Sequence, residues 1–232
     1  MNAIDRLIIA LDVPHLEDAK DLVARIGNEG TFYKIGYQLF PIGGYSFARD
    51  LVERGKKVFL DAKLFDIGAT VERGVKSLTS IGAHLLTVHA DTDTIKGAIT
   101  GRGDDENLQI FAVTVLTSWD QMTVASHAID MPVLDLVLFR ADIAAEAGAD
   151  GVIASAAEAT AIKARFGDRL QIVTPGIRPQ GVAAHDQKRV ITPEKAILAG
   201  ADRLVVGRPI TQSADPAIAT ATIIQSIKAI SP

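Results

Sequence analysis

In Val58-Phe59-Leu60-Asp61-Ala62-Lys63-Leu64-Phe65-Asp66 an apolar triplet runs straight into three charges. Val58-Phe59-Leu60 reads as a short strand. Side chains on a strand alternate between its faces, so Asp61 and Lys63 are expected on one face, with Leu60, Ala62 and Leu64 on the other. A lysine held between Asp61 and, just past the strand end, Asp66 stays protonated beside two negative charges and is equipped as a proton donor. The alternative is a structural ion pair. Burying charges costs several kcal/mol unless they are paired, so three of them at one strand end point to chemistry.

Runs of the same kind recur on both sides of this stretch: Leu7 to Leu11, Phe32 to Ile35, Leu85 to Val88, Ile110 to Val115, Val152 to Ala154, Ile172 to Val173 and Leu204 to Val206. With Val58 to Leu60 they make eight. Between them lie segments of helical spacing, such as Leu16, Ala19, Val23 and Ile26, or Val133, Leu134, Val137, Leu138 and Ala141. Strand and helix alternate as a parallel α/β fold requires. A weak repeat supports the count, since Gly82-Ala83-His84, Gly148-Ala149-Asp150 and Gly200-Ala201-Asp202 each follow a helix-like stretch and precede a strand. Glycine there suits the left-handed position that ends a helix. Eight such units predict a (β/α)8 TIM barrel, one domain over residues 1–232; an open parallel sheet is the alternative.

Composition narrows the function classes. The chain has 232 residues, 48% of them hydrophobic, with no apolar run long enough to span a membrane. The first apolar segment is too short for a signal-peptide core and is flanked by Asp5 and Asp12. The absence of cysteine excludes disulfides and thiolate chemistry and fits a reducing cytoplasm. A formal net charge of -4 without a basic tract argues against a nucleic-acid or membrane-surface binder, which leaves a small molecule as the expected partner.

Barrel chemistry sits where strands end, so candidate site residues follow from the strand assignments. They are Asp12 after strand one, Lys34 in strand two, Asp61 and Lys63 in strand three, His89 after strand four and Thr117-Ser118 after strand five. Strand seven opens into Thr174-Pro175-Gly176-Ile177-Arg178-Pro179, and strand eight into Gly207-Arg208. Gly207 admits close backbone approach and Arg208 offers a fork of donors, at the place where barrels often hold a phosphate. The polar stretch from Arg178 to Arg189, with Gly181, Gln187 and Lys188, has the character of a lid or of a merely solvated loop. His15, His84, His89, His127 and His185 show no metal-ligand spacing, and no Gly-x-Ser-x-Gly elbow is present.

Asp61-x-Lys63-x-x-Asp66, followed by Ile67 and Thr70, resembles the active-site segment of the orotidine 5'-phosphate decarboxylase family, and its shorter form is shared by the wider barrel superfamily. The likeness extends along the chain through Leu11-Asp12, Lys34, Val115-Leu116-Thr117-Ser118, the segment from Thr174 to Pro179, Asp186-Gln187 and Val206-Gly207-Arg208-Pro209. It implies decarboxylation of orotidine 5'-phosphate to UMP and CO2, without metal or organic cofactor, in a homodimer with shared sites. By the same resemblance Lys63 is the proton donor, Asp61 lies beside the substrate carboxylate, and Lys34 completes an alternating charge network. Asp66, Ile67 and Thr70 would reach into the neighbouring subunit's site. Asp12 and Lys34 would meet the ribose hydroxyls, Thr117 the pyrimidine, and Gln187, Arg208 and the Gly207 amide the phosphate, with Arg178 in the closing loop. Two other readings stand beside this one: a magnesium-dependent sugar-phosphate decarboxylase or synthase of the same superfamily, and a non-catalytic phosphate-ligand barrel. The metal-dependent relatives carry a metal-binding glutamate where this chain has Lys34, and a binder has little use for a proton donor.

Overall fold

Alternation of side chains along each strand is what divides the interior into two apolar layers. Ile8 faces the barrel axis while Leu7 and Ile9 face the helices, and Phe59 and Phe111 do the same between Val58 and Leu60 and between Ile110 and Ala112. The computed structural model describes residues 1–179 and 191–230. In chain order the elements are β1 (Leu7–Ala10), α1 (Leu16–Ile26), β2 (Phe32–Gly36), α2 (Gly44–Glu53), β3 (Lys57–Leu64), α3 (Gly68–Leu78), β4 (Leu85–His89), α4 (Thr92–Arg102), β5 (Gln109–Val113), α5 (Gln121–Ser126) and α6 (Val133–Ala147). They continue as β6 (Gly151–Ile153), α7 (Ala156–Phe166), β7 (Gln171–Thr174), α8 (Pro193–Leu198), β8 (Arg203–Val206), α9 (Arg208–Thr211) and α10 (Pro216–Lys228). Each strand pairs in parallel with the next, and β1 closes on β8, so the expected eight-stranded barrel is present and the open sheet is excluded.

β3 carries Asp61 and Lys63 as expected and ends at Leu64, just before Asp66. One local expectation needs correction. In α6 the expected apolar face included Leu134, which is exposed, whereas Leu136, Val137, Ala141, Ala144 and Ala145 are buried. That helix is apolar nearly all round, and periodicity cannot select a face when both sides qualify. In α1 a polar face does exist, and Ala19, Val23 and Ile26 are buried as expected. The repeated glycines Gly82, Gly148 and Gly200 adopt φ of 75°, 90° and 108°, the left-handed region in which a Cβ is strained.

The inner layer sets the depth of the site. Ile8, Phe32, Phe59, Leu85, Phe111 and Val173 fill the barrel, each large side chain contributing about 1.5 to 3 kcal/mol by leaving water. Toward the strand C-termini this packing gives way to polar groups: two positions after Phe32 comes Lys34, after Phe59 comes Asp61, and after Leu85 comes Thr87. A spacing of two returns each to the axis-facing side, so adjacent strands carry their polar groups into one layer. Among the described residues no helix is long and apolar enough to cross a membrane.

Candidate active site

β1, β2 and β3 lie side by side, and their C-terminal ends bring four opposite charges into a line. Lys34 Nζ lies 2.9 Å from Asp12 Oδ1 and 3.3 Å from Asp61 Oδ2, and Lys63 Nζ lies 2.7 Å from Asp61 Oδ1. Charge therefore alternates along Asp12, Lys34, Asp61 and Lys63, and two carboxylates balance two ammonium groups. Lys34 is buried, with only 7% of its surface exposed. Its burial opposes the charged form, yet Asp61 and Asp12 together overcome that and raise its pKa. Asp61 is the mirror case: burial would raise it, but Lys34 and Lys63, with hydrogen bonds from Lys63 and Thr87, hold its carboxyl below the usual carboxylate value.

Lys63 and Asp61 do meet on one side of β3, though not by plain alternation. Register between β3 and β4 shifts between Leu60 and Leu64, and Lys63 has φ of 45°. A residue with a Cβ in this region costs on the order of 1 to 3 kcal/mol and persists only where its surroundings enforce it. The irregularity turns the Lys63 ammonium over the site, 5.4 Å from the centre of the Tyr37 ring.

These groups form one wall of a cavity of about 430 Å³ at the barrel mouth. Asp12, Lys34, Asp61, Lys63, Thr117, Arg178, Gly207 and Arg208 all line it, so eight of the predicted site residues share one space. Ala10, Phe59, Val113, Ile153 and Val205 supply apolar lining. The loops after β7 and β8 bring in Arg178 and Arg208, giving a region suited to a dianion, while Gly176 at φ 80° turns the chain out of β7. A volume of this order suits a ligand the size of a nucleotide.

Three predicted residues stand elsewhere. Asp66, Ile67 and Thr70 are exposed and do not line the cavity of their own chain. Within one chain Asp66 does not flank Lys63 as the strand reading expected: its carboxylate accepts from the Ile67 amide at 2.7 Å, and the ion pair formed by Lys63 is with Asp61. The cause is local, since the chain leaves β3 at Leu64 and starts α3 at Gly68, so Asp66 sits on the outward connection. Gln187, and most of the stretch read as a lid, lie outside the described residues. Sequence reasoning missed Thr87, whose hydroxyl donates to Asp61 Oδ1 at 3.0 Å. Its signal was a lone hydroxyl inside the apolar run Leu85 to Val88, one strand over from Asp61.

Comparison with known proteins identifies the family. The model of the orotidine 5'-phosphate decarboxylase / HUMPS family matches residues 5–223. A protein of Methylorubrum extorquens (strain PA1) named orotidine 5'-phosphate decarboxylase is 56% identical over 212 residues, covering 91% of this chain and 90% of that one. One of the same name from Rhodopseudomonas palustris (strain BisA53) is 52% identical over 227 residues, covering 98% and 96%. Among solved structures, orotidine 5'-phosphate decarboxylase from Lactobacillus acidophilus superposes with a TM-score of 0.85 at 34% identity, covering 95% of this chain and 98% of that one. On sequence and fold together, this chain belongs to the orotidine 5'-phosphate decarboxylase / HUMPS family.

Proposed function

We propose that the protein is a carboxy-lyase that converts orotidine 5'-phosphate to UMP and CO2, the last step of pyrimidine nucleotide synthesis, with neither metal nor organic cofactor. The observation that carries the reading is the alternating line Asp12, Lys34, Asp61 and Lys63 in one cavity with Arg178 and Arg208. The phosphate binds toward Arg208 and the Gly207 amide, Asp12 and Lys34 take the ribose, and Thr117 takes the pyrimidine. The substrate carboxylate then lies against Asp61. The bond from the ring carbon to the carboxylate carbon breaks, CO2 leaves, and the electron pair stays on the ring carbon. The Lys63 ammonium stabilises that charge and transfers its proton there, restoring a neutral C–H bond.

Magnitudes indicate where the acceleration arises. Repulsion between Asp61 and the substrate carboxylate is about 4 kcal/mol at roughly 4 Å and an effective dielectric near 20. Enzymes commonly lower barriers by about 8 to 23 kcal/mol, so repulsion relieved as CO2 departs is a minor share. The larger share comes from ammonium groups already in place around the developing anion, and from phosphate contacts far from the reacting carbon that favour closure.

Against a magnesium-dependent reaction stands Lys34, a buried cation in the centre of the charge line, where a divalent ion would be repelled. We further assign a cytoplasmic homodimer in which Asp66, Ile67 and Thr70 serve the neighbouring site. The 69% exposure of Phe65 and the 77% exposure of Ile67 beside Asp66 support that part, since large apolar side chains on a connection favour a covering partner. Loss of orotidine 5'-phosphate absorbance in excess chelator tests the activity. Wild type should turn over and Lys63→Ala should not, with unchanged circular dichroism; a fully active Lys63→Ala would remove the proton donor, and a chelator-sensitive wild type would favour the metal-dependent reaction.

A further inference from the structure

The peptide unit that joins Ala62 to Lys63 has left the ladder between β3 and β4. Pairing holds at Leu60 with Leu86 and resumes at Leu64 with Val88, so four steps along β3 match two along β4. Such a bulge strands backbone groups that the ladder would have used. In this trans peptide the Lys63 amide faces β4, the Ala62 carbonyl faces the opposite way toward the end of β2, and a side chain takes each. The Ala62 carbonyl accepts from the Tyr37 hydroxyl at 3.0 Å, and the Lys63 amide donates to Thr87 Oγ1 at 3.1 Å. The Thr87 hydroxyl in turn donates a hydrogen bond to Asp61 Oδ1 at 3.0 Å, the oxygen that also accepts from Lys63 Nζ at 2.7 Å. Thr87 is fully buried, and neither it nor Tyr37 lines the cavity, so both act through Lys63 and Asp61 and not on a ligand.

We propose that Thr87 and Tyr37 are positioning residues that hold the Ala62-Lys63 peptide in its bulged conformation and thereby set where the Lys63 ammonium and the Asp61 carboxylate stand. This rests on Lys63 being the proton donor of the decarboxylation. Thr87 has the stronger hold, because from a fully buried position it bonds both the strained backbone and the carboxylate. The Tyr37 side chain is 63% exposed, so its bond competes with solvent. Thr87→Val keeps the shape and removes both bonds, Thr87→Ser keeps the hydroxyl, and Tyr37→Phe keeps the ring beside Lys63.

The test combines turnover with hydrogen exchange. Displacement of a reacting group by about 1 Å can cost on the order of 100-fold, so Thr87→Val should lose about 10- to 100-fold in kcat, while its dissociation constant for UMP is unchanged. Thr87→Ser should recover most of the rate, and Tyr37→Phe should lose about 2- to 10-fold, the equivalent of one ordinary hydrogen bond. In wild type the Lys63 amide should exchange slowly although it lies outside the ladder, and in both Thr87→Val and Tyr37→Phe it should exchange faster. Wild-type turnover in Thr87→Val, a serine variant as slow as the valine one, equal losses in kcat and UMP affinity, or fast Lys63 exchange in wild type would each overturn the proposal. Should Thr87→Val fail to fold, the Tyr37→Phe rate and the wild-type exchange decide it. A wild type inactive on orotidine 5'-phosphate would instead sink the decarboxylase reading, while the exchange data would still report on the peptide clamp.

Discussion

Asp61 and Lys34 show a contest in which burial and neighbouring charge pull in opposite directions. Burial pushes the carboxyl up and the ammonium down, and in both cases the partners win. Because the Asp61 pKa is lowered on folding, its contribution to stability is present above its unfolded value, about 3.9, and is lost as pH falls through the folded value. The Lys34 pKa is raised, so its contribution is present below about 10.4 and is lost as pH rises through the folded value. Urea unfolding midpoints followed from about pH 6 down to about pH 2 should therefore fall more steeply in wild type than in Asp61→Asn, which has no carboxylate to titrate there. Parallel curves for the two proteins would mean that Asp61 is not held ionised by its neighbours. The residue types at this site were legible because charged side chains interrupt apolar strands. The left-handed conformation of Lys63 was not, since nothing in Ala62-Lys63-Leu64 demands it and the partners of that peptide, Thr87 and Tyr37, lie on other parts of the chain.

Asp66 stands on the connection from β3 into helix α3, and α3 packs against α4. The two helices approach closely through glycines: a Cβ on Gly97 would lie 2.3 Å from the Gly68 carbonyl oxygen, and one on Gly101 would lie 2.3 Å from that of Glu72. Alanine at a helical glycine normally gains about 0.8 to 1 kcal/mol, whereas overpacking costs about 1 to 3 kcal/mol. A backbone oxygen cannot rotate away, so the second effect should prevail, and Gly97→Ala should lower stability by roughly 1 to 2 kcal/mol in urea unfolding. Gly74→Ala, in open space on α3, should do the reverse. A Gly97→Ala protein as stable as wild type would mean that the two helices are free to separate. The Gly-Ala-His/Asp repeat is a second lesson at this scale. Its helix-ending role could be read directly, but the use of its third residue could not: Asp150 and Asp202 accept from the Ile110 and Ile172 amides at 2.7 Å, and His84 Nδ1 lies 3.4 Å from the Val58 amide. Each faces the preceding strand, a neighbour known only once the sheet has closed.

At the scale of the whole molecule, the exposed Asp66 is placed to be tested across subunits. If it crosses a two-fold interface, Lys63→Ala and Asp66→Ala homodimers should each be nearly inactive. A mixed dimer then gathers both defects in one site and leaves the other intact. With free subunit exchange about half the dimers are mixed, so roughly a quarter of wild-type activity should return. No recovery, with exchange verified by mass spectrometry, would place Asp66 in the service of its own barrel. Within one chain Asp66 stands outside the cavity that Lys63 lines.

By itself the sequence determined the eight alternating units, the helix-ending glycines, and the set of charged and glycine positions that now line one cavity. These are local matters: periodicity sets which side a residue faces, and a strand end in a parallel barrel opens on one rim. Only the tertiary structure decided the order of the charge line, the two-residue bulge that seats Lys63, the clamp made by Thr87 and Tyr37, and the outward placing of Asp66. Each of these depends on which atoms of separate strands come within hydrogen-bonding distance. That distance is set by barrel closure and by the burial energy of the whole core, and a linear pattern carries neither.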